Sequence, residues 1–118
     1  MNLKLATRML GTVLVVDCHG RIIFGDETLA LRELVKEQLK NNKNIVINLA
    51  DVNFIDSGGL GTLVGLYTSA RSMGGTVKLA HLTRRVDELL QVTKLLTVFE
   101  TFESVEDAAR SFQHGAVA

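Results

Sequence analysis

The chain has 118 residues, of which 47% are hydrophobic and 22% charged, and its 13 basic residues balance its 13 acidic ones. This length suits one soluble globular domain with its own core, so we predict a single domain over residues 1–118, with residues 115–118 frayed. The net charge of zero, with no basic cluster beyond Arg84-Arg85, disfavours direct binding to nucleic acid or to anionic lipid. No run is long enough to span a bilayer, and residues 1–8 lack the apolar stretch of a signal peptide.

The cysteine content and the spacing of potential metal ligands argue against a disulfide-bonded protein and against a metal site. Cys18 is the only cysteine and cannot form an internal disulfide, which indicates a reducing, cytoplasmic location. It follows the apolar run Val13–Val16, so we expect it to pack in the core rather than to react. Histidine, cysteine and carboxylate residues are not clustered at metal-ligand spacing, and we expect neither a metal nor a cofactor.

The first predicted elements are strands. Leu3 and Leu5 alternate with polar neighbours as far as a turn at Gly11, and Thr12–Cys18 then forms a second strand that pairs with the first as a hairpin. A short third strand is predicted at Ile22–Phe24.

An amphipathic helix is predicted next. Asp26 is the expected N-cap, because its side chain can accept a hydrogen bond from an early helix amide, and the helix should end near Asn41-Asn42. Apolar residues with helical spacing form one face of it: Leu31, Leu34, Val35 and Leu39.

A central strand and a second helix follow. The run Ile45–Leu49 is rich in β-branched residues, too short for a helix and without an exposed face, which predicts a buried parallel strand. A connection over Ala50–Asp56 leads into a helix that runs to about Met73 and stops at Gly74-Gly75. Its apolar face consists of residues at helical spacing: Leu60, Leu63, Val64 and Tyr67.

The same order of strand and helix then repeats. Thr76–Ala80 predicts a strand, and Val86, Leu89 and Leu90 mark the apolar face of a helix. A short strand at Thr97–Thr101 and a closing helix capped by Ser104 complete the chain. The predicted fold is α/β: a mixed central sheet of about four to five strands with an opening hairpin and about four helices, two of them on the same side.

The segment between the central strand and the second helix is rich in glycine. Ser57 is predicted at or near the N-cap, where a serine ordinarily stabilises a helix by about 1 kcal/mol. Gly58, Gly59 and Gly61 each cost up to about 1 kcal/mol relative to alanine inside a helix, so helix stability does not account for them. We expect them to keep the backbone bare, so that another molecule or a phosphate on Ser57 can approach unpaired amides at the helix start.

Catalytic interpretations of this segment fit poorly. A hydrolase nucleophile elbow needs glycine two residues before the serine, where this chain has Ile55. His19, His81 and His114 do not stand in a recognisable triad context. The glycines lack both the lysine of a P-loop and the spacing of a dinucleotide-binding loop. We therefore expect a protein that is not an enzyme.

The run Asp56-Ser57-Gly58-Gly59-Leu60-Gly61, preceded by Asp51–Ile55, resembles the signature of STAS-domain anti-sigma factor antagonists. The resemblance extends over nearly the whole chain. It implies that Ser57 is phosphorylated by a partner that is both anti-sigma factor and serine kinase, and that a phosphatase reverses this. The unphosphorylated chain would bind the partner through residues 56–61 and free sigma factor. No cofactor is implied.

Two positions depart from the family pattern. Gly58 stands where the family often has serine or threonine, which leaves Ser57 as one candidate acceptor. The loop before the first helix reads Gly20-Arg21-Ile22-Ile23 and reaches an acidic residue only at Asp26, so Arg21 and Asp26 are candidate rim residues of the partner surface. STAS domains also serve as scaffolds and transport-complex subunits. A scaffold that is never phosphorylated, and a nucleotide- or small-ligand-binding module, therefore stay open as alternatives.

Overall fold

The computed structural model describes residues 1–116, with side chains described as far as Phe112. The strands are β1 (Leu3–Leu10), β2 (Val13–Ile22), β3 (Asn44–Ile55), β4 (Thr76–Ala80) and β5 (Thr101–Phe102). The helices are α1 (Asp26–Leu39), α2 (Ser57–Ser72), α3 (Arg84–Val92) and α4 (Val105–Ala116), with a short 3-10 turn at Leu95–Thr97.

The strands lie in one five-stranded sheet in the order β1-β2-β3-β4-β5. Strands β1 and β2 form an antiparallel hairpin that turns at Gly11, whose φ of 62° lies in the left-handed region that glycine adopts without strain. All other neighbouring strands are parallel. This confirms the predicted mixed sheet with an opening hairpin.

Helices cover both faces of the sheet. Ile45 and Ile47 of β3 belong to the larger core cluster, to which α1, α2 and α3 contribute, whereas Val46 packs in a second cluster with α4. Alternate residues of a strand point to opposite faces, so a strand buried on both sides is apolar throughout this stretch. Three helices, α1, α2 and α3, therefore share one side, one more than the two predicted, and α4 lies on the other.

Strand β3 is longer than the sequence predicts. Residues 50–55, predicted as a connection, continue the strand beside β2. Val52 and Ile55 are buried while Asp51 and Asn53 are exposed, so this half of the strand mixes polar and apolar positions. The prediction rested on a continuous apolar run and therefore ended too early.

Other boundaries also differ. Ile22 is the last residue of β2, so the predicted third strand at Ile22–Phe24 is wrong, and Phe24 lies in a turn. The N-cap of α1 is Gly25, with a φ of 125°, and Asp26 is the first helical residue. Helix α1 ends at Leu39 rather than near Asn41.

Near the carboxyl terminus, the predicted last strand exists as β5, but its predicted bounds of Thr97–Thr101 are wrong, because residues 95–97 form the 3-10 turn and β5 pairs with β4 only at Thr101 and Phe102. The predicted cap is confirmed, since the Ser104 hydroxyl accepts a hydrogen bond from the N–H of Asp107 at 3.0 Å. Helix α4 continues through Gly115 and Ala116, where fraying is predicted, and residues 117–118 fall outside the described residues.

Cys18 is 1% exposed in the larger core cluster, and burial raises the pKa of its thiol to about 12. A thiol with so high a pKa is protonated at neutral pH, which confirms the packing role. Of the helices in residues 1–116, none combines the length and the apolar character needed to cross a bilayer.

Candidate functional site

The candidate site lies where the carboxyl ends of β2 and β3 meet. Parallel pairing brings Ile22 opposite Ile55, the last residues of their strands. The turn after β2 and the start of α2 after β3 therefore lie side by side. The N–H of Asp56 donates to the carbonyl oxygen of Ile22 at 3.3 Å and ties the two segments together.

Asp56, not Ser57, is the N-cap of α2. Its carboxylate accepts a hydrogen bond from the N–H of Gly59 at 2.7 Å. The same carboxylate accepts the N–H of Phe24 through both oxygens, at 3.0 and 3.2 Å. Hydrogen bonds from the amides of Phe24 and Gly59 stabilise the charged form and lower the pKa of Asp56 below its ordinary value. The helix thus begins one residue earlier than a Ser57 N-cap would give, because the Asp56 carboxylate takes the capping role assigned to the Ser57 hydroxyl.

Ser57 is the first residue of α2, and its side chain is exposed. Since Asp56 caps the helix, the serine hydroxyl has no capping role and stands at the surface. The first turn of α2 contains no acidic residue. A hydroxyl in this position can be reached by another protein.

The glycines after Ser57 do not all serve the purpose predicted for them. A Cβ added at Gly58 would lie 2.5 Å from the Cβ of Phe24, and one at Gly59 would collide with the carbonyl oxygen of Ile22. These two glycines are needed for close packing within the chain, and the prediction that they leave the backbone bare is wrong. Only Gly61 of the three faces open space.

The amides at the start of α2 are also less available than predicted. The N–H of Gly59 donates to the Asp56 carboxylate, and the N–H of Leu60 donates to the Asp56 carbonyl at 2.9 Å. An anion that approaches the N-terminus of α2 therefore lies near the Asp56 carboxylate, which already accepts a hydrogen bond from a helix amide. A phosphate on Ser57 would experience repulsion from Asp56.

The remaining predicted site residues are spread over different environments. Gly59 and Leu60 are buried, and the Leu60 side chain belongs to the larger core cluster. Arg21 is exposed and places its guanidinium 4.9 Å from the centre of the Phe54 ring. Asp26 is exposed in the first turn of α1.

Phe24 is the residue of this region that sequence reasoning missed. Its side chain is 77% exposed and packs against Gly58. The two residues are far apart in sequence, and the only local signal is a glycine directly after Ser57. The surface around the serine is formed by exposed or half-exposed residues: Phe24, Asp56, Ser57 and Gly61.

Two concave regions do not include Ser57 in their lining. A cleft of about 660 Å³ lies at the carboxyl ends of β4 and β5 and includes His81, Arg84 and Phe102. A shallower groove of about 320 Å³ runs between the end of β3 and α3, with Phe54 and Val92 among its lining residues. Within residues 1–116, no three histidine, cysteine or carboxylate side chains are grouped as metal ligands.

The fold and the site together define a small α/β domain in which an exposed serine opens a helix at one edge of a mixed sheet. The family model described as the STAS domain matches residues 4–108, and the chain belongs to this family. The resemblance predicted from residues 51–61 is therefore confirmed at the level of the family.

Curated relatives carry regulatory names. A Bacillus subtilis (strain 168) protein named Anti-sigma-B factor antagonist is 33% identical over 70 residues, which cover 59% of this chain and 64% of that protein. The chain thus spans slightly less than two thirds of this relative. A Paenibacillus polymyxa protein named Anti-sigma F factor antagonist is 24% identical over 109 residues, covering 92% of this chain and 93% of that protein.

Solved structures share the fold at lower identity. An anti-sigma factor antagonist from Mycobacterium paratuberculosis has a TM-score of 0.76 at 24% identity, covering 92% of each chain. The anti-sigma factor antagonist SpoIIAA, at 16% identity, has a TM-score of 0.71 unphosphorylated, covering 95% of this chain and 99% of its own. Its phosphorylated form, described as from Bacillus, has a TM-score of 0.73 at 16% identity, covering 92% of this chain and 99% of its own.

A transport-related protein has the same architecture. A sulfate transporter family protein from Wolinella succinogenes has a TM-score of 0.73 at 16% identity, covering 91% of this chain and 89% of that chain. The fold alone therefore does not decide between regulation and transport, and the function must be argued from the site.

Proposed function

We propose that this chain is an anti-sigma factor antagonist controlled by phosphorylation of Ser57. The unphosphorylated chain binds a protein that is both anti-sigma factor and serine kinase, and this binding frees sigma factor. Phosphorylation of Ser57 by the same partner ends the complex, and a phosphatase restores it. In this proposal the chain is a cytoplasmic binding partner and a substrate, not an enzyme.

The observation that carries the proposal is the exposed hydroxyl of Ser57 at the first position of α2. Because Asp56 caps the helix, a phosphate can be added to Ser57 without removing the hydrogen bond that starts the helix. The names of the curated relatives favour an anti-sigma factor as the partner.

The effect of the phosphate follows from its charge. A phosphoserine carries about −1.5 to −2 charges at neutral pH. It would stand beside Asp56, whose carboxylate has the same sign, and a partner covering this surface would have to remove water from both. Leaving an unpaired charge in an interface costs several kcal/mol, and a coupling of about 1–3 kcal/mol changes affinity about 5- to 150-fold. Modification then acts on binding while the fold persists.

Intact mass spectrometry tests the modification. The chain is incubated with MgATP and each purified anti-sigma factor kinase of its source organism. We expect one added phosphate, absent from Ser57→Ala and retained in Ser72→Ala, which removes an exposed serine at the other end of the same helix. Two phosphates, or one phosphate retained in Ser57→Ala, would reject Ser57 as the single acceptor.

Binding measurements separate the proposal from its rivals. Ser57→Ala should bind the partner as the wild type does, and Ser57→Asp should lose most of the affinity. Equal binding by both variants would indicate a scaffold or transport subunit, the role suggested by the fold shared with the sulfate transporter family protein. A nucleotide-binding module would instead gain stability with ATP or GTP alone, by about 2.7 kcal/mol at 100 times the dissociation constant.

A further inference from the structure

Phe24 projects its ring into solvent beside the phosphorylation site proposed above. It is 77% exposed and lies in the turn that joins β2 to α1. Other large apolar residues are also exposed, Leu29 and Val92 among them, and single exposed apolar side chains are ordinary in proteins. Exposure alone therefore does not distinguish Phe24.

The contacts that fix the backbone and the Cβ of Phe24 do distinguish it. Its N–H donates to both carboxylate oxygens of Asp56, at 3.0 and 3.2 Å, across 32 residues of sequence. The Phe24 side chain also packs closely against Gly58. The Cβ of an alanine at position 58 would lie 2.5 Å from the Cβ of Phe24, so Phe24 would have to move. The chain thus uses a carboxylate and a glycine to fix the point of the backbone from which an apolar ring extends at the surface.

A held aromatic ring is well suited to binding. Binding energy in interfaces is concentrated in a few residues, and aromatic side chains are enriched among those at the buried centre. A side chain already fixed in its bound position loses little conformational freedom when a partner covers it.

The position of the ring also determines which partner covers it. Phe24 packs on Gly58, the residue directly after Ser57. A kinase that brings its active site over the Ser57 hydroxyl therefore comes close to this ring. An apolar cup on the kinase would bury the ring and bring a phosphate on Ser57 into the same water-excluded contact.

We infer that Phe24 is the apolar anchor through which this chain holds its anti-sigma factor kinase, and that Asp56 and Gly58 are positioning residues that present the ring. The inference rests on the proposed function. It adds a specificity-determining residue outside the 56–61 segment, on a different turn of the chain.

Calorimetric titration tests the anchor, with the ADP-bound anti-sigma factor kinase that phosphorylates the wild-type chain. Phe24→Ala should raise the dissociation constant at least about 30-fold, the ratio that corresponds to a hot-spot residue. Phe24→Tyr, which keeps the ring, should stay within about threefold of the wild type. Val92→Ala is the matched control, because Val92 is 80% exposed on α3 and should leave the affinity unchanged.

Phosphorylation kinetics give a second readout. If the ring contributes equally to substrate and transition-state binding, Phe24→Ala should raise KM for the chain while kcat stays within about threefold. Gly58→Ala should weaken binding and also lower the free energy of unfolding, because the new Cβ would lie 2.5 Å from the Cβ of Phe24 and must displace the turn that carries the ring. Asp56→Asn should weaken binding less than Asp56→Ala, because the amide oxygen still accepts from Phe24, and amide hydrogen exchange at Phe24 should be faster in Asp56→Ala than in Asp56→Asn.

The outcomes separate this inference from the proposed function. If no anti-sigma factor kinase binds or phosphorylates the wild-type chain, the proposed function fails, and the inference with it. If the wild type binds and Ser57→Asp does not, while Phe24→Ala binds within threefold of the wild type and folds normally by circular dichroism, the proposed function stands and the anchor is rejected. A loss of binding that is as large in Val92→Ala also rejects it.

Discussion

The Asp56 carboxylate accepts the backbone N–H of Phe24, 32 residues earlier in the chain, through both of its oxygens. The same carboxylate caps α2 through the N–H of Gly59. One side chain therefore fixes the turn after β2 and the first turn of α2 relative to each other. Ser57 directly follows Asp56 in the chain and therefore lies beside these contacts.

The pH dependence of stability should reveal this carboxylate. Its pKa is lower in the folded chain, so Asp56 stabilises the fold above its unfolded-state pKa, and that contribution is lost as the pH falls through the folded-state pKa. Asp56→Ala should lower the free energy of unfolding at pH 7 by about 0.5–2 kcal/mol, the range for loss of an N-cap. The difference from the wild type should shrink at pH 3, as measured by urea denaturation at both values.

Glu33→Ala serves as the control, because Glu33 is an exposed carboxylate in the middle of α1. Its effect should be small and should change little between the two pH values. A deficit in Asp56→Ala that is as large at pH 3 as at pH 7 would show that the carboxylate charge does not hold these amides.

Alanine substitutions at two nearby glycines should have opposite effects. At Gly59 the new Cβ would meet the carbonyl oxygen of Ile22 and approach Ile55, and a backbone atom cannot yield as a flexible side chain can. We expect Gly59→Ala to lower the free energy of unfolding by about 1–3 kcal/mol. Gly61 faces open space, so Gly61→Ala should raise it by up to about 1 kcal/mol through helix propensity.

Urea denaturation of the two variants and the wild type measures both changes at once. The pair is well matched, since the same substitution is made in the same turn region of α2. Stabilisation by both alanines would mean that the β2 end does not press against Gly59 in solution.

The elements that sequence predicted best are those whose burial comes from one uninterrupted pattern. The run Ile45–Leu49 lies in β3, and Thr76–Ala80 coincides with β4, because strands covered on both faces are mostly apolar, with Asn48 and Lys78 as polar exceptions. The failures lie where pairing with a neighbour decides the structure. Residues 50–55 become strand because β2 continues beside them, and that pairing is not written in their own residues.

The candidate site was found only in part for a related reason. The glycines that follow Ser57 were enough to identify it as a candidate site residue. Two of those glycines, however, are required by contacts with residues 22–24, which are distant in sequence. The local sequence indicates that positions 58 and 59 require residues without a side chain, but it does not indicate which part of the chain packs against them. The contacts of Phe24 with Asp56 and Gly58 therefore emerge only from the tertiary structure, whereas the capping of α2 by Asp56 is a local contact that the N-cap preference of aspartate also allows.

The thiol of Cys18 should be inert in the folded chain. Burial raises its pKa to about 12, so the thiolate that reacts with iodoacetamide is scarce at pH 8, and the sulfur is also out of reach of the reagent. We expect alkylation only at the rate of global unfolding, and rapid alkylation in urea, both followed by intact mass. Fast alkylation of the native chain would contradict the burial of β2 at this position.

A buried lysine gives the last prediction. Lys78 on β4 is 7% exposed, and its ammonium donates to the Ser111 hydroxyl at 2.7 Å and lies 4.1 Å from the centre of the Phe112 ring. Its ion-pair partner Glu100, at 2.9 Å, has a side chain that is 62% exposed. Lys78 and Glu100 therefore differ in burial, so removal of one partner has a different consequence from removal of the other.

Removal of Lys78 leaves a carboxylate that water can solvate, whereas removal of the Glu100 charge leaves an ammonium buried without a counter-ion. Lys78→Met, which retains apolar volume, should change the free energy of unfolding by less than about 1 kcal/mol, and Glu100→Gln should lower it by about 1–3 kcal/mol. Urea denaturation measures both, with Glu103→Gln as the control for an exposed glutamate nearby. A larger loss in Lys78→Met than in Glu100→Gln would mean that the hydrogen bond and ring contacts of the ammonium, rather than the cost of its unpaired charge, dominate this side of α4.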